Sequence, residues 1–280
     1  MHLHSTGDVD EYAAAVRTFL EAEPCERNVL LSVVDSVRDA PAAYASPASF
    51  WWITDSGGVV GAASWTPPFP LLVSSMPDAA APGLAAAMLE RAASLGIRPP
   101  GVNGPVGAAR AVAAAWTGAG GDTVERERIM LLHELRELVD VPSPPGSRRS
   151  ATAADVALIA EWLLAFATEV AIVAGPASIA ERMVAAGHAD LWIDGGMTVC
   201  LVGHRVAAGV LRVGPVYTPP EHRNRGYGRR LTYEVTAAEM ARPDVHQSML
   251  FTDADNPVSN SIYRQAGYEL RGEHVEIEFA

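Results

Sequence analysis

Lysine is absent from this chain. All 21 basic residues among its 280 are arginine, set against 33 Asp and Glu, for a formal net charge of -12. A chain this acidic is poorly suited to nonspecific binding of nucleic acid or of an anionic membrane. Cysteine is scarce too. Cys25 and Cys200 stand alone and far apart, which makes neither a disulfide framework nor a zinc site. No apolar run reaches the roughly 18 residues of a membrane span. Met1, His2, Leu3 and His4 lack the shape of a signal peptide, so a reducing cytoplasm is the expected compartment. Charged residues make up only 19% of the chain and apolar residues 49%, a globular composition rather than a disordered one. The length suits one large domain or two of about 140 residues, each able to bury a core.

The residues present divide the chain near its middle. The segment from Asp140 to Arg149 is rich in Pro, Gly and Ser and is expected to be a linker, since it favours neither helix nor strand. The halves on either side echo each other. Thr6, Gly7, Asp8 and Val9 open a helical apolar pattern through Tyr12, Val16, Phe19 and Leu20, and Thr152 to Val156 open another through Ile159, Leu163, Phe166 and Val170. Each begins with Thr or Asp where a helix cap belongs. Trp52 to Gly58 resembles the shorter run Trp192 to Gly196, each a strand leading into a tight glycine turn. The offset of about 140 residues points to a duplicated domain: one over 1–140, a linker at 141–149 and a second domain over 150–280.

In the second half the patterns predict helices at about 154–170 and 177–186, then strands at 190–194, 197–203 and 206–218. A long helix over 226–241, a strand over 247–252, a helix over 257–266 and a last strand over 268–279 follow. That order predicts a mixed α/β sheet with helices on its faces.

The chemistry concentrates in two stretches. The first runs from Arg212 to Arg230. A strand ends at Thr218, Pro219 and Pro220, because proline cannot continue a central ladder. Gly226 and Gly228 then open a helix whose first amides are unpaired and whose dipole favours an anion. Arg223, Arg225, Arg229 and Arg230 crowd the same turn and make a positive island in an acidic chain, suited to phosphate or pyrophosphate. No Gly-Lys-Ser/Thr follows, so the turn is not a P-loop. The second stretch runs from Phe251 to Tyr268. Asn256 and Pro257 start a helix, Gly267 closes it, and Tyr263 lies where the helix could aim it at the C-terminal edge of the sheet.

Together these stretches resemble the GCN5-related N-acetyltransferases. The resemblance rests on Val216-x-Thr218-x-Pro220, Arg223-x-x-Gly226-x-Gly228, and Asn256 with Tyr263 seven residues on, then Gly267 and Tyr268. It covers about 150–280 and is nearest in wording to bacterial two-domain members. It implies two tandem domains of this kind, each a mixed central sheet flanked by helices, with a splayed parallel strand pair at the site of the acyl donor, acetyl-CoA. The pyrophosphate would sit on the backbone of Arg223, Asn224, Arg225, Gly226, Tyr227, Gly228 and Arg229. The pantetheine arm would lie along Val216, Tyr217 and Thr218, with Asn256 and Asn260 contributing contacts. The Val216 amide would polarise the thioester carbonyl, since Pro215 has no N–H. Tyr263 would be the general acid for the leaving thiolate, with no metal involved.

The implied reaction is direct transfer to a primary amine of a small molecule or peptide, with both substrates bound together. Because amines are mostly protonated near neutrality, a base is needed. Glu169, at the end of the first helix of the second half, is the preferred candidate. Asp253 and Asp255 are the others, while Glu221 and His222 are expected to face solvent. Cys200, inside an apolar strand, reads as core rather than nucleophile. A chain without lysine also cannot acetylate lysines of its own. Two other readings stay open: a CoA-binding sensor without turnover, and an amine acetyltransferase of low-molecular-weight thiol biosynthesis. The chain could act as a monomer or a homodimer, with no nucleic-acid or membrane partner.

The first half departs from the pattern. After Ser64 to Pro68 it runs through Phe69 to Asp78 into an alanine-rich helix with no Arg-x-x-Gly-x-Gly, and no tyrosine matches Tyr263. It is expected to be a degenerate copy that binds no CoA, with Trp51, Trp52, Trp65 and Phe69 either plain core or lining of the acceptor pocket.

Overall fold

The computed structural model describes residues 1–40, 46–172, 175 and 178–280, and the chain divides into two units. The first comprises Met1–Leu132, Thr252–Asp255 and Arg271–Ala280; the second comprises His133–Phe251 and Asn256–Leu270.

In the first unit β1 (His2–Thr6) leads to α1 (Val9–Ala22) and α2 (Asn28–Asp39). Then come β2 (Ser49–Asp55), β3 (Gly58–Trp65), β4 (Leu71–Val73), α3 (Ala81–Leu95), β5 (Gly101–Pro105), α4 (Val106–Gly118) and β6 (Val124–Leu135), whose last residues from His133 belong to the second unit. The pairs β1–β2, β2–β3 and β3–β4 are antiparallel and β4–β5 is parallel. Asp8 caps α1 by accepting from the amides of Asp10 and Glu11, as its position predicts.

The second unit repeats this order: β7 (Ser147–Ser150), α5 (Val156–Glu169), α6 (Ser178–Ala185), β8 (Ala189–Asp194), β9 (Met197–Ala207), β10 (Val210–Tyr217), α7 (Tyr227–Met240), β11 (Gln247–Asp253), α8 (Pro257–Gln265) and β12 (Tyr268–Phe279). The same pairings recur, antiparallel for β7–β8, β8–β9 and β9–β10 and parallel for β10–β11. Thr152 and Asp155 form a reciprocal capping box before α5. The expected helix at 177–186 is α6; residue 177 lies outside the described residues.

Strand alternation assigns the core. In the second unit Trp192, Cys200, Val202 and Leu211 face Tyr227, Leu231 and Val235 of α7. Their neighbours Leu191 and Leu201, with Tyr217, face Ile159 and Trp162 of α5 and Ala180 of α6. The first unit does the same with Trp51, Trp65 and Leu71 against α3 and α4, and with Phe50 and Trp52 against α1 and α2. This decides between the two readings of the first-half aromatics. Trp51, Trp52 and Trp65 are buried core, not pocket lining, because flat strands between two helical layers consume large apolar side chains on both faces; Phe69 is only half-buried.

The segment expected to be a linker is corrected. Ser147–Ser150 is a strand paired with β8, Val141 is buried in the core, and the Pro145 carbonyl accepts from Trp192 Nε1 at 2.9 Å. Proline and glycine prevent the segment from forming structure of its own, but they leave carbonyls free for a neighbour. Beyond it, β12 crosses the sequence division. From Arg271 it belongs to the first unit, where His274 to Glu278 pair antiparallel with Pro105 to Gly101 of β5.

Candidate active site

The site is built at the C-terminal end of β10. β10 pairs with β11 from Val210–Gln247 to Val213–Leu250, and among the described residues that ladder goes no further. On its other side β10 resumes pairing with β9 at Val216 and Tyr217 after a register shift. Val216, Tyr217 and Thr218 thus lie where the parallel pair opens, in the second unit's sheet edge nearest the start of α7.

The chain then crosses Pro219 and Pro220, turns, and enters α7. Asn224 (φ 62°) and Gly226 (φ 85°) are both left-handed, a conformation that glycine takes without cost and asparagine tolerates. Gly226 is the N-cap of α7, and no side chain caps the helix. The first intrahelical bond runs from the Arg230 amide to the Gly226 carbonyl, at 3.0 Å. The amides of Tyr227, Gly228 and Arg229 therefore open the helix, at the positive end of its dipole. A Cβ on Gly228 would stand 3.4 Å from Val216 Cγ1 and 3.6 Å from Thr218 Oγ1. The start of the helix thus packs directly against the end of the strand at position 228.

The arginines of the turn are less free than their spacing suggests. Arg223 donates from Nε to the Thr218 carbonyl at 2.9 Å and from a terminal nitrogen to both Glu169 oxygens at 2.7 Å. Its guanidinium also lies 5.9 Å from the centre of the Tyr217 ring. Arg225 reaches the Glu221 carbonyl at 3.2 Å, and Arg229 reaches Gln265 Oε1 at 3.0 Å. Arg230 is turned to Glu234 and Asp140. The Tyr227 side chain is buried and bonds Asp194, so that residue can offer a ligand only its backbone.

Tyr263, on α8, packs half-buried against the core that holds Cys200 and Leu231. Its ring meets Tyr268 edge-on, with centroids 6.2 Å apart. The Tyr268 hydroxyl is held by Ser248 at 2.8 Å and Thr236 at 3.0 Å. Burial pushes the Tyr263 phenol well above its ordinary pKa; Tyr268 and Cys200 add to this, and the Thr232 hydroxyl works against it. The phenol therefore keeps its proton at neutral pH. Cys200 lies beneath the same spot, its Sγ 3.2 Å from the Thr218 hydroxyl, and burial pushes its thiol up to about 12. It is core, as its apolar strand predicted.

The remaining candidates have structural duties. Asn256 caps α8 by accepting from the Ser259 amide at 3.0 Å. Asn260 is buried and hydrogen-bonded to His133, whose pKa is lowered by burial. Asp253 accepts from the Asp255 amide in a tight turn, at 2.8 Å. Glu221 is exposed as expected, but His222 is half-buried, a correction that follows from the short helical turn at Pro220–His222 tucking the ring inward. Sequence reasoning missed Thr232, Ser248 and Thr236, the hydroxyls around Tyr263 and Tyr268. Their one sequence signal is a polar residue at a core-facing helix or strand position.

The first unit keeps the backbone arrangement and lacks the charge. β4 and β5 pair in parallel only at Leu71–Val102 and Leu72–Asn103, and α3 begins at Ala81 without a side-chain cap. No arginine stands between Leu71 and Leu84, Asp78 precedes the helix, and Ser75 donates to Glu26 at 2.8 Å. Among the described residues no group of three or more His, Cys, Asp or Glu could hold a metal ion, and no helix is long and apolar enough to cross a membrane.

Residues 193–277 match the family model described as FR47-like protein. No curated protein matches the sequence. Solved structures are similar over nearly the whole chain. One is a GCN5-related N-acetyltransferase from Sphaerobacter thermophilus, 16% identical, with a TM-score of 0.60 over 99% of this chain and 95% of that one. Another is a Drosophila protein, 16% identical, with a TM-score of 0.65 over 99% and 98%. The chain has the fold of the GCN5-related N-acetyltransferase superfamily. It takes that fold in double form: a tandem GNAT protein from the clavulanic acid biosynthesis pathway, 14% identical, matches all of this chain and 98% of its own with a TM-score of 0.59.

Proposed function

We propose that this chain is an N-acetyltransferase that moves an acetyl group from acetyl-CoA to the primary amine of a small molecule or peptide, at the β10–α7 site of the second unit. The observation that carries the reading is the coincidence of an opened parallel strand pair with an uncapped, glycine-started helix whose Gly228 faces Val216 and Thr218 of the strand end. The helix start would receive the pyrophosphate on the amides of Tyr227, Gly228 and Arg229, and the strand end at Val216 to Thr218 would receive the pantetheine arm by its backbone. Asn256 and Asn260 serve this arm indirectly, by capping and seating α8.

Transfer takes place with both substrates bound. The amine attacks the thioester carbonyl, polarised by the Val216 amide, and the C–S bond breaks. Tyr263 gives its phenolic proton to the departing thiolate, and Glu169 takes the proton released by the amine, once it is free of Arg223. A covalent enzyme intermediate on Cys200 is disfavoured by its buried, protonated thiol. The first unit is a degenerate copy that binds no CoA. The reading assigns the reaction to the cytoplasm, in a monomer or homodimer.

Titration calorimetry with acetyl-CoA tests it. One site per chain is expected; two would mean that the first unit binds as well, and none would overturn the reading. A second reading, a CoA sensor without turnover, draws on the occupation of both Glu169 oxygens. Binding without acetyl transfer to any of a panel of amines would favour it.

A further inference from the structure

Of the four arginines at the turn, Arg225 and Arg229 bond to neutral oxygens and Arg230 is paired with Glu234 and Asp140, while Arg223 is paired with a carboxylate from the end of α5. Glu169 ends α5, 54 residues earlier, and accepts from Arg223 with both oxygens at 2.7 Å. The part of the turn's positive charge that Arg223 would offer to a phosphate is therefore already taken in the free protein. Both partners are about two-fifths exposed, at 41% and 43%. A pair in that position shifts an equilibrium by no more than about five-fold, so it exchanges easily. The rest of the arginine is anchored separately. Its Nε bond to the Thr218 carbonyl and its place beside the Tyr217 ring keep the guanidinium at the strand end while its terminal nitrogens change partner.

We propose that Glu169 is a latch on Arg223: the phosphates of the acyl donor compete with it for the guanidinium, and binding of the donor releases the Glu169 carboxylate. This rests on the acetyl-CoA reading above. One event then does two things. The Arg223 charge joins those of Arg225 and Arg229 only as the donor arrives, and the carboxylate that is to take the amine's proton is unmasked only after the donor is seated. Before release, both oxygens are committed to a cation. After it, a bare carboxylate stands at the end of α5, beside the strand end that carries Val216 to Thr218. An amine arriving first meets no free base.

The test is the sign of a binding change. Acetyl-CoA is titrated calorimetrically into the full chain, into Glu169→Gln, into Arg223→Met and into the double variant, at low and at physiological salt. Glu169→Gln removes the competitor from an exposed position, so it should bind acetyl-CoA about two- to five-fold tighter than wild type. The gain should shrink as salt rises and vanish in the Arg223→Met background. Unchanged or weaker binding by Glu169→Gln, with normal binding by wild type, overturns the latch and makes Glu169 a support for the arginine, leaving the acetyl-CoA reading intact. A gain that persists without Arg223 also overturns it. No binding by the wild type overturns the reading on which the latch rests.

Discussion

Replacing Gly226 by aspartate places a carboxylate at the start of α7 without disturbing the packing. No heavy atom lies within 4 Å of a Cβ built there, so the penalty is conformational alone. At φ 85° a residue with a side chain costs about 1–2 kcal/mol, which for a chain of this size lowers the melting temperature by a few degrees. Asparagine pays the same penalty with no charge, so Gly226→Asn isolates the electrostatics. A carboxylate about 6 Å from a phosphate repels it by roughly 3 kcal/mol at an effective dielectric near 20, or about a hundred-fold in affinity. The assay is calorimetric titration with acetyl-CoA, beside a thermal melt of each variant. The expected result is a small, equal loss of stability in both variants and a large loss of affinity in the aspartate one. Equal affinities for Asp and Asn would refute the placement of the pyrophosphate at this turn.

Gly228→Ala should leave stability unchanged or raise it by about 0.5–1 kcal/mol, since alanine suits a helix better and its Cβ meets only ordinary contacts. Acetyl-CoA affinity should nevertheless fall at least about ten-fold, and a titration showing retained affinity would exclude close approach of the ligand to this backbone. Tyr263→Phe should lower turnover by roughly 10²–10⁴-fold with little change in acetyl-CoA affinity; steady-state rates that match wild type would remove the phenol from the mechanism. Asp155 is held well below the usual carboxylate range, first by Arg149 at 2.7 Å and then by the Thr152 amide and hydroxyl, against the effect of burial. A depressed carboxylate stabilises the fold fully above its unfolded value of about 3.9 and loses that contribution as pH falls through the lower folded value. Urea melts should therefore show Asp155→Asn less stable than wild type at pH 7, with the difference closing below about pH 4. A pH-independent difference would point to packing instead of charge.

The elements around the candidate site were legible because their signals are local. Pro219 and Pro220 stop a strand, Gly226 starts a helix at a φ few residues accept, and Asn256 with Pro257 caps and begins α8; each acts within a few positions. The observed α5, α7, α8 and β12 accordingly lie within two residues of their expected bounds. The tandem arrangement was readable for a related reason, since duplicated sequence repeats the same local signals in the same order.

Side-chain partners were not legible, because they are set by distances between residues remote in the chain. The arginine island read as free charge, yet Arg223 meets Glu169 from 54 positions away and Arg230 meets Asp140 from 90. The tryptophans of the first half could read as core or as pocket wall, and the packing of helices on both faces of the strands made Trp51, Trp52 and Trp65 core. The proline-rich midpoint read as a linker until β8 supplied an edge for Ser147–Ser150 to join. By itself the sequence determined which backbone segments turn, extend or coil, and where the glycine-started, uncapped helix must begin, since those depend on each residue's own torsional preferences. The tertiary structure decided which charges are cancelled, which hydroxyls meet Tyr263 and Tyr268 and which unit receives β12, since burial and pairing exist only once the chain has folded back on itself.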